Sequence, residues 1–250
     1  MKKIIYSLLA CLTLVFVFVS CNDKTSYDDS KITYYVTFAM NGDQTMYVPV
    51  GTTYTDPGVK AMEGDKDVTS TMKTTGTVNA NEVGLYPVTY SAINADGYPN
   101  SVTRTVFVYD PSITVDISGN YQVDAAASYR IQLSNNAKIK YSDMKTIYGK
   151  GDFSKFIVKL AQIKPGLFSV SDLFGGYYSD GRGYGSDYEM TGYLSLSSNN
   201  SIQMLYSHVI AWGDSMDDLK NGTYDPTTGI IKWSAYYTNT YSFNVALNKK

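Results

Sequence analysis

The feature of this chain that most limits its fold is a two-residue alternation of apolar and polar side chains, in short segments between turn residues. Ile32–Phe38 alternates in this way, and so does Tyr241–Leu247. Successive side chains of a β-strand point to opposite faces, so this period is typical of strands with one buried face. The segments between them show no sustained helical period. The pattern predicts an all-β protein.

The N-terminal residues follow a different pattern. Two lysines precede an apolar segment, Ile4–Val19, and a small residue stands before Cys21. This order is typical of a secretory signal. A transmembrane anchor is the alternative, but the apolar segment is short for the ~20 residues that a bilayer helix needs, and no cationic stop follows it. We predict a signal peptide at residues 1–20 and a flexible polar tether at residues 21–31.

Phe18-Val19-Ser20-Cys21 resembles a bacterial lipobox. The resemblance implies that Cys21 becomes the first residue of the mature chain, linked to diacylglycerol and N-acylated, for example with palmitate. Two or more acyl chains give stable anchoring. Asp23, Asp28 and Asp29 follow closely, and acidic residues at this place resemble the surface-export signal of Bacteroidetes lipoproteins. Together they imply a lipid-anchored protein of the outer membrane that faces the extracellular side.

The composition argues against several classes of function. Lys and Arg number 21 against 23 Asp and Glu, a net charge of −2, so no basic face for nucleic acid is expected. Cys11 leaves with the signal and Cys21 carries lipid, which leaves the folded part without thiols or disulfides. Enzyme sites rely on His and Glu for proton transfer and on Arg for binding anions. This chain has only one His, three Glu and three Arg, whereas it has 24 Tyr. We expect a binding protein without catalytic residues, metal or cofactor.

Residues 32–110 contain short alternating segments with strong turn signals between them. Asp56-Pro57-Gly58 and Asp96-Gly97 are such signals, because proline presets φ and glycine accepts a positive φ. Even strand spacing predicts an immunoglobulin-like sandwich of two antiparallel sheets. Asp110-Pro111 marks its end, since the residue before proline is pushed out of helical conformations.

Motifs within residues 32–110 match, in order, those of the bacterial surface Ig-like domain of unknown function. This resemblance implies a spacer or adhesion module and brings no catalytic residues with it. The matching segments are Thr55-Asp56-Pro57-Gly58-Val59, Asp67-Val68-Thr69, Gly84-Leu85-Tyr86-Pro87-Val88-Thr89-Tyr90 and Thr103-Arg104-Thr105-Val106.

Residues 118–250 are predicted to form a second domain of about eight antiparallel strands. A closed β-barrel or a β-sandwich suits that number, since closing a sheet removes its exposed edges. Asp225–Gly229 predicts a hairpin turn, and Asp214–Leu219 one helical turn. The later strands are predicted at Phe156–Ile163, Leu167–Val170, Glu189–Leu196, Ser201–Ser207, Ile230–Tyr237 and Tyr241–Leu247.

The second domain resembles the C-terminal domain of Bacteroidetes lipoproteins that pair it with this Ig-like module. The resemblance implies an association with outer-membrane nutrient-import systems of the starch-utilisation type, and it carries no reaction or catalytic residue. The segments that carry this resemblance are Gly175–Tyr178, Gly181–Gly185, Trp212–Ser215 and Gly222–Gly229.

The segment 174–188 combines glycines, which let the backbone bend sharply, with tyrosines that offer flat faces and a polar rim. Sugars expose C–H patches and hydroxyls, so aromatic rings flanked by charged groups suit them. A hairpin loop whose tyrosines pack on their own barrel is the alternative, and an irregular calcium site at Asp180 and Asp187 is another. The candidate ligand-binding residues are Tyr177, Tyr178, Asp180, Arg182, Tyr184, Asp187, Tyr188, Trp212 and Asp214.

Trp212-Gly213-Asp214 is the second part of this candidate site, although such a tryptophan is also a common core or loop anchor. Asp214-Ser215-Met216 resembles the short Bacteroidetes O-glycosylation signal, which implies a glycan on Ser215. A glycan there would compete with a ligand at Trp212. Trp233 alternates with Ile231 along a strand, which predicts a core position.

The sequence favours a non-catalytic surface lipoprotein that captures an oligosaccharide, or secondly a peptide, or that docks to an import complex. A purely structural or adhesive spacer is the first alternative. A glycoside hydrolase is the second alternative. Such enzymes need two carboxylates set across a cleft, and Glu189 with Asp187 or Asp214 would form such a pair.

Overall fold

The computed structural model describes residues 32–250, so the predicted signal peptide, tether and lipidated Cys21 lie outside the described residues. In this range no helix combines the length and apolar character needed to cross a membrane. Seventeen strands make up nearly half of the described chain, with one short α-helix, α1 (Met144–Tyr148), which ends at Gly149 in a left-handed conformation. The all-β prediction is confirmed.

The N-terminal domain consists of two sheets, as predicted for an Ig-like sandwich, but the prediction that both are antiparallel is wrong for one strand pair. One sheet has the order β1-β3-β4, and the other has the order β2-β7-β6-β5 with β2 parallel to β7. The strands are β1 (Val36–Met40), β2 (Thr45–Pro49), β3 (Val59–Glu63), β4 (Lys66–Asp67), β5 (Lys73–Thr75), β6 (Gly84–Ile93) and β7 (Pro99–Tyr109).

The core of this domain contains a fully buried arginine, Arg104, on the inward face of β7 between the sheets. Its guanidinium donates to the carbonyl oxygens of Asn41 and Gly58 at 2.9 and 3.0 Å, and Nε lies 3.7 Å from Oδ1 of Asp56. Asp56 also accepts the hydroxyl of Tyr90. The motifs around Asp56 and Arg104 therefore meet in space, and their role is to hold the turn at residues 56–58 against the sheet.

The C-terminal domain is an eight-stranded antiparallel barrel, which decides between the two architectures left open by the sequence. Its strands follow the order β8-β11-β12-β13-β14-β15-β16-β17, and β17 pairs again with β8 to close the ring. The hairpin β9–β10 continues the sheet from β17. The strands are β8 (Gly119–Val123), β9 (Tyr129–Gln132), β10 (Ala137–Lys140), β11 (Ile157–Lys164), β12 (Leu167–Val170), β13 (Met190–Leu196), β14 (Ser201–Val209), β15 (Asp218–Tyr224), β16 (Ile231–Tyr237) and β17 (Tyr241–Lys249).

Inward positions along the barrel strands fill its interior, as expected for a barrel of this size. Trp233 is 1% exposed, which confirms its predicted core position. The helical turn predicted at Asp214–Leu219 is wrong, because strand β15 begins at Asp218 and pairs with β16. The sheet satisfies backbone groups there that a single helical turn would leave unpaired.

The two domains pack directly against each other. Phe107, on the outer face of β7, is 2% exposed because it meets Tyr193 of the barrel edge-on, with ring centroids 4.9 Å apart and planes at 76°. Ile113 and Ile117 of the connecting segment are buried in the barrel's hydrophobic cluster. The connection is therefore a packed joint.

Candidate functional site

The segment between β12 and β13 is organised by a buried carboxylate, Asp172. Its Oδ1 accepts the backbone N–H groups of Phe174 and Met190 at 2.9 and 3.0 Å, and its Oδ2 accepts that of Gly176 at 2.8 Å. Asp172 has no exposed surface. Burial raises its pKa to about 7, while the three N–H donors act in the opposite direction because they favour the charged form.

Asp172 is a residue that our sequence analysis missed. An aspartate that accepts the N–H two residues on forms an Asx turn, and Asp172 stands three residues before Gly175-Gly176. That local signal predicts a turn, but it does not distinguish a solvated turn from a buried one. The bond to Met190, which closes the loop at its far end, requires the fold.

The first part of this loop turns into the barrel. Leu173, Phe174 and Tyr177 have no exposed surface, and the indole N–H of Trp233 donates to the carbonyl oxygen of Leu173 at 2.8 Å. Tyr177 packs on Phe243 with centroids 5.1 Å apart. Tyr177 therefore leaves the set of candidate ligand contacts, and the loop-packing alternative holds for this half of the segment.

The second part of the loop brings three partly exposed rings together, which we name the aromatic patch: Tyr184, Tyr188 and Trp212. Tyr184 and Tyr188 lie 5.0 Å apart, and Tyr188 and Trp212 also lie 5.0 Å apart, with planes at 62° and 78°. Tyr184 is 44% and Trp212 is 40% exposed. A hydrogen bond from the amide of Ala211 to the carbonyl oxygen of Asp187 joins the two loops that carry these rings.

Trp212 is supported from below by two buried tyrosines. Tyr237 stacks on it with centroids 6.0 Å apart and planes at 26°, and Tyr178 meets it edge-on at 4.9 Å. The hydroxyl of Tyr237 donates to the carboxylate of Asp214, 2.9 and 2.8 Å from its two oxygens. These contacts fix the position of the indole, of which 40% remains exposed.

The charged residues predicted beside these rings have separate surroundings. Arg182 lies over the ring of Tyr148 at 4.2 Å and donates to the hydroxyl of Tyr184 at 3.0 Å, so it borders the aromatic patch. Asp180 and Asp152 line a cavity of about 330 Å³ away from the aromatic patch. Burial raises the pKa of Asp180, and the charge of Asp152 adds to the effect. Asp187 and Ser215 are exposed.

These carboxylates do not assemble into an ion site within residues 32–250, where no group of three or more His, Cys, Asp or Glu side chains is placed to hold a metal. Asp180 faces Asp152, while the carboxylate of Asp214 accepts a hydrogen bond from Tyr237. Glu189 is half-buried, and burial raises its pKa.

A groove runs along the joint between the domains. Its larger part, about 450 Å³, is lined by the outer face of the Ig-like sheet, including Thr103, Thr105 and Phe107, and by Tyr193 and Tyr206 of the barrel. A second cavity of about 310 Å³ continues from the same two tyrosines across β11, β12 and β13. We name the two cavities together the interdomain groove.

Comparisons with known proteins identify both domains. The profile of the bacterial surface protein Ig-like domain matches residues 38–108, and the profile of a family of C-terminal domains matches residues 110–249. The lipoprotein BT2262 from Bacteroides thetaiotaomicron is 34% identical, and the match covers 86% of this chain and 100% of that one, with a TM-score of 0.45. The protein belongs to the BT2262 family.

Other comparisons add little to this assignment. No curated protein matches the sequence of this BT2262 family member. A structure from Clostridium perfringens ZmpB, which contains CBM51-2 in complex with GlcNAc and INT domains, is 17% identical over 54% of this chain and 29% of that chain. Its TM-score of 0.26 is too low for any conclusion about the BT2262 family member.

Proposed function

We propose that the protein is a non-catalytic surface lipoprotein, anchored in the outer membrane through acylated Cys21, that captures an oligosaccharide for a nutrient-import system. Membership of the BT2262 family and the bacterial surface Ig-like domain support the cell-surface role. The lipobox-like segment before Cys21 supports the anchor. Palmitate labelling of cells that express wild type or Cys21→Ser tests the anchor, and label retained by the variant contradicts it.

The observation that carries the ligand proposal is that Trp212 is packed in a fixed position and is still 40% exposed. It stands on Tyr237 and is flanked by Tyr188, so its orientation is determined by packing before any ligand arrives. A preorganised ring loses little conformational entropy on binding. Tyr188 packs on Trp212 and on Tyr184, and Arg182 donates to the hydroxyl of Tyr184, so phenol and guanidinium groups near Trp212 offer hydrogen bonds to sugar hydroxyls.

The ligand proposal is tested by calorimetry and affinity electrophoresis of the mature protein against panels of neutral glycans and of peptides. Trp212→Ala and Tyr184→Ala should each weaken glycan binding by about 1–3 kcal/mol, the cost of a stacking hot spot. Because Trp212→Ala also removes ring contacts with Tyr178, Tyr188 and Tyr237, urea unfolding of each variant checks that it remains folded under the binding conditions. Tyr98→Ala, which removes an exposed tyrosine from the Ig-like domain, is the matched control.

The alternative functions give different results in the same assays. Retention of peptides alone would replace oligosaccharide by peptide as the ligand. If no glycan and no peptide binds, and a pull-down recovers a transporter, a structural docking role would be favoured. Release of sugar products that stops on Asp187→Asn or Glu189→Gln would show a hydrolase.

A further inference from the structure

The outer face of the β13–β14 pair connects the aromatic patch with the interdomain groove. Register pairs Thr191 with His208 and Tyr193 with Tyr206, and these side chains point outward, since their neighbours Gly192 and Ser207 are buried. The backbone separates Met190, at the patch end of β13, from Tyr193 by three residues, or about 10 Å of strand.

Exposed apolar side chains continue this outward row toward Trp212. Tyr206 is 44% exposed, and Ile210, just past the end of β14, is 67% exposed. At the other end, Tyr193 and Tyr206 are the walls shared by both cavities of the interdomain groove. The outward side chains of Ile210, His208 and Tyr206, with Thr191 and Tyr193 opposite, therefore form a row between the loop of Trp212 and the Ig-like sheet.

The chemistry of this surface selects among elongated ligands. Lys159 is the single charged side chain among the residues that line the two cavities, and the other polar side chains are the hydroxyls of serine, threonine and tyrosine residues. A peptide with charged termini and side chains would find few partners here. A neutral chain with alternating C–H faces and hydroxyls matches rings and hydroxyls in alternation.

We propose that the protein binds a linear, neutral oligosaccharide several sugars long, on a track that runs from the aromatic patch along the outer face of β13–β14 into the interdomain groove. The proposal rests on the proposed capture function and adds the ligand's shape, length and polarity. Trp212 holds one end, and Tyr206 with Tyr193 stacks a sugar several positions further along. Both domains contribute to the site, which gives the packed joint at Phe107 a role in binding.

The experiment measures affinity against chain length. Fragments of α-glucan, β-glucan, β-xylan and α-mannan, from disaccharide to octasaccharide, are titrated into the mature protein by calorimetry. For the series that binds, the octasaccharide should bind at least about tenfold more tightly than the disaccharide, as expected from roughly one added stacking contact. Tyr206→Ala should abolish this gain and leave disaccharide affinity unchanged, whereas Trp212→Ala should weaken both.

The following outcomes overturn the track or its stated polarity. If affinity is independent of chain length, or if Tyr206→Ala is silent while Trp212→Ala weakens binding, the aromatic patch acts alone and the proposed function stands without the track. If no glycan series binds, both proposals fail together. Tyr98→Ala controls for the loss of an exposed tyrosine, and anionic oligosaccharides that bind as well as neutral ones would contradict the stated polarity.

Discussion

Tyr178 and Trp212 meet edge to face, with ring centroids 4.9 Å apart and planes at 87°. Tyr178 belongs to the loop between β12 and β13, and Trp212 to the connection between β14 and β15. This contact joins the buried aromatic cluster around Phe174 to the exposed rings of the aromatic patch. The patch is therefore an extension of the barrel core, and changes in the core should be felt at the candidate site.

The first prediction concerns Tyr237 under Trp212. Tyr237→Phe keeps the ring but removes the hydroxyl that donates to Asp214, so the free energy of unfolding should fall by about 1.5–3 kcal/mol, the value of a hydrogen bond to a charged group. Glycan affinity should be nearly unchanged. Tyr237→Ala should lower both stability and affinity, since Trp212 then lacks its supporting face; equal affinities for the two variants would contradict this relationship. Urea unfolding and calorimetry provide the measurements.

The second prediction is a pH dependence centred on Asp172. Its pKa is raised to about 7 in the folded chain from 3.8, so between these values the folded state binds a proton that the unfolded state lacks. Stability from this group is present below about pH 4 and is lost as pH rises through 7. Between pH 5 and 7.5 the loss should be about 2 kcal/mol in urea unfolding.

Asp172→Asn is the variant that tests this linkage. The amide oxygen still accepts from Phe174 and Met190, but the NH₂ group faces the N–H of Gly176, so the variant should be less stable than wild type at pH 5. It should also lose the decline between pH 5 and 7.5. A variant with the wild-type slope would show that another group titrates.

The third prediction separates the two tryptophans. Trp233→Phe removes the N–H that bonds to Leu173 and leaves a buried carbonyl unpaired, so it should destabilise by about 1–3 kcal/mol beyond the smaller ring's effect. Trp212→Phe, at an exposed position, should hardly change the melting temperature. Each variant leaves one tryptophan, whose fluorescence reports the transition separately.

The fourth prediction addresses the Ig-like domain. Arg104→Met leaves Asp56 without its cation and the carbonyl oxygen of Asn41 without the guanidinium donor, while that of Gly58 keeps only the amide of Asn41. We therefore expect the free energy of unfolding to fall by about 3 kcal/mol. Lys60→Met removes an exposed pair with Asp67 and should have no measurable effect. Thermal unfolding of both variants tests the difference, and equal melting temperatures would contradict a structural role for Arg104.

Local signals were sufficient where a residue's role follows from its own strand or turn. The alternation around Trp233 predicts its core position, and the hairpin turn at Asp225–Gly229 does join β15 to β16. Local signals were insufficient for two tyrosines of the same glycine-rich segment, since Tyr177 lies in the core and Tyr184 at the surface. Their difference depends on Asp172, which holds the start and end of the loop.

The sequence by itself determined the all-β class, the Ig-like domain and the eight-stranded count, because period, turn residues and motifs act over a few neighbouring residues. Closure of the barrel through β17 and β8, the burial of Tyr177 and the meeting of Tyr188 with Trp212 were decided by tertiary structure alone. Those contacts join residues far apart in the chain, and only the packed core establishes which faces remain in water.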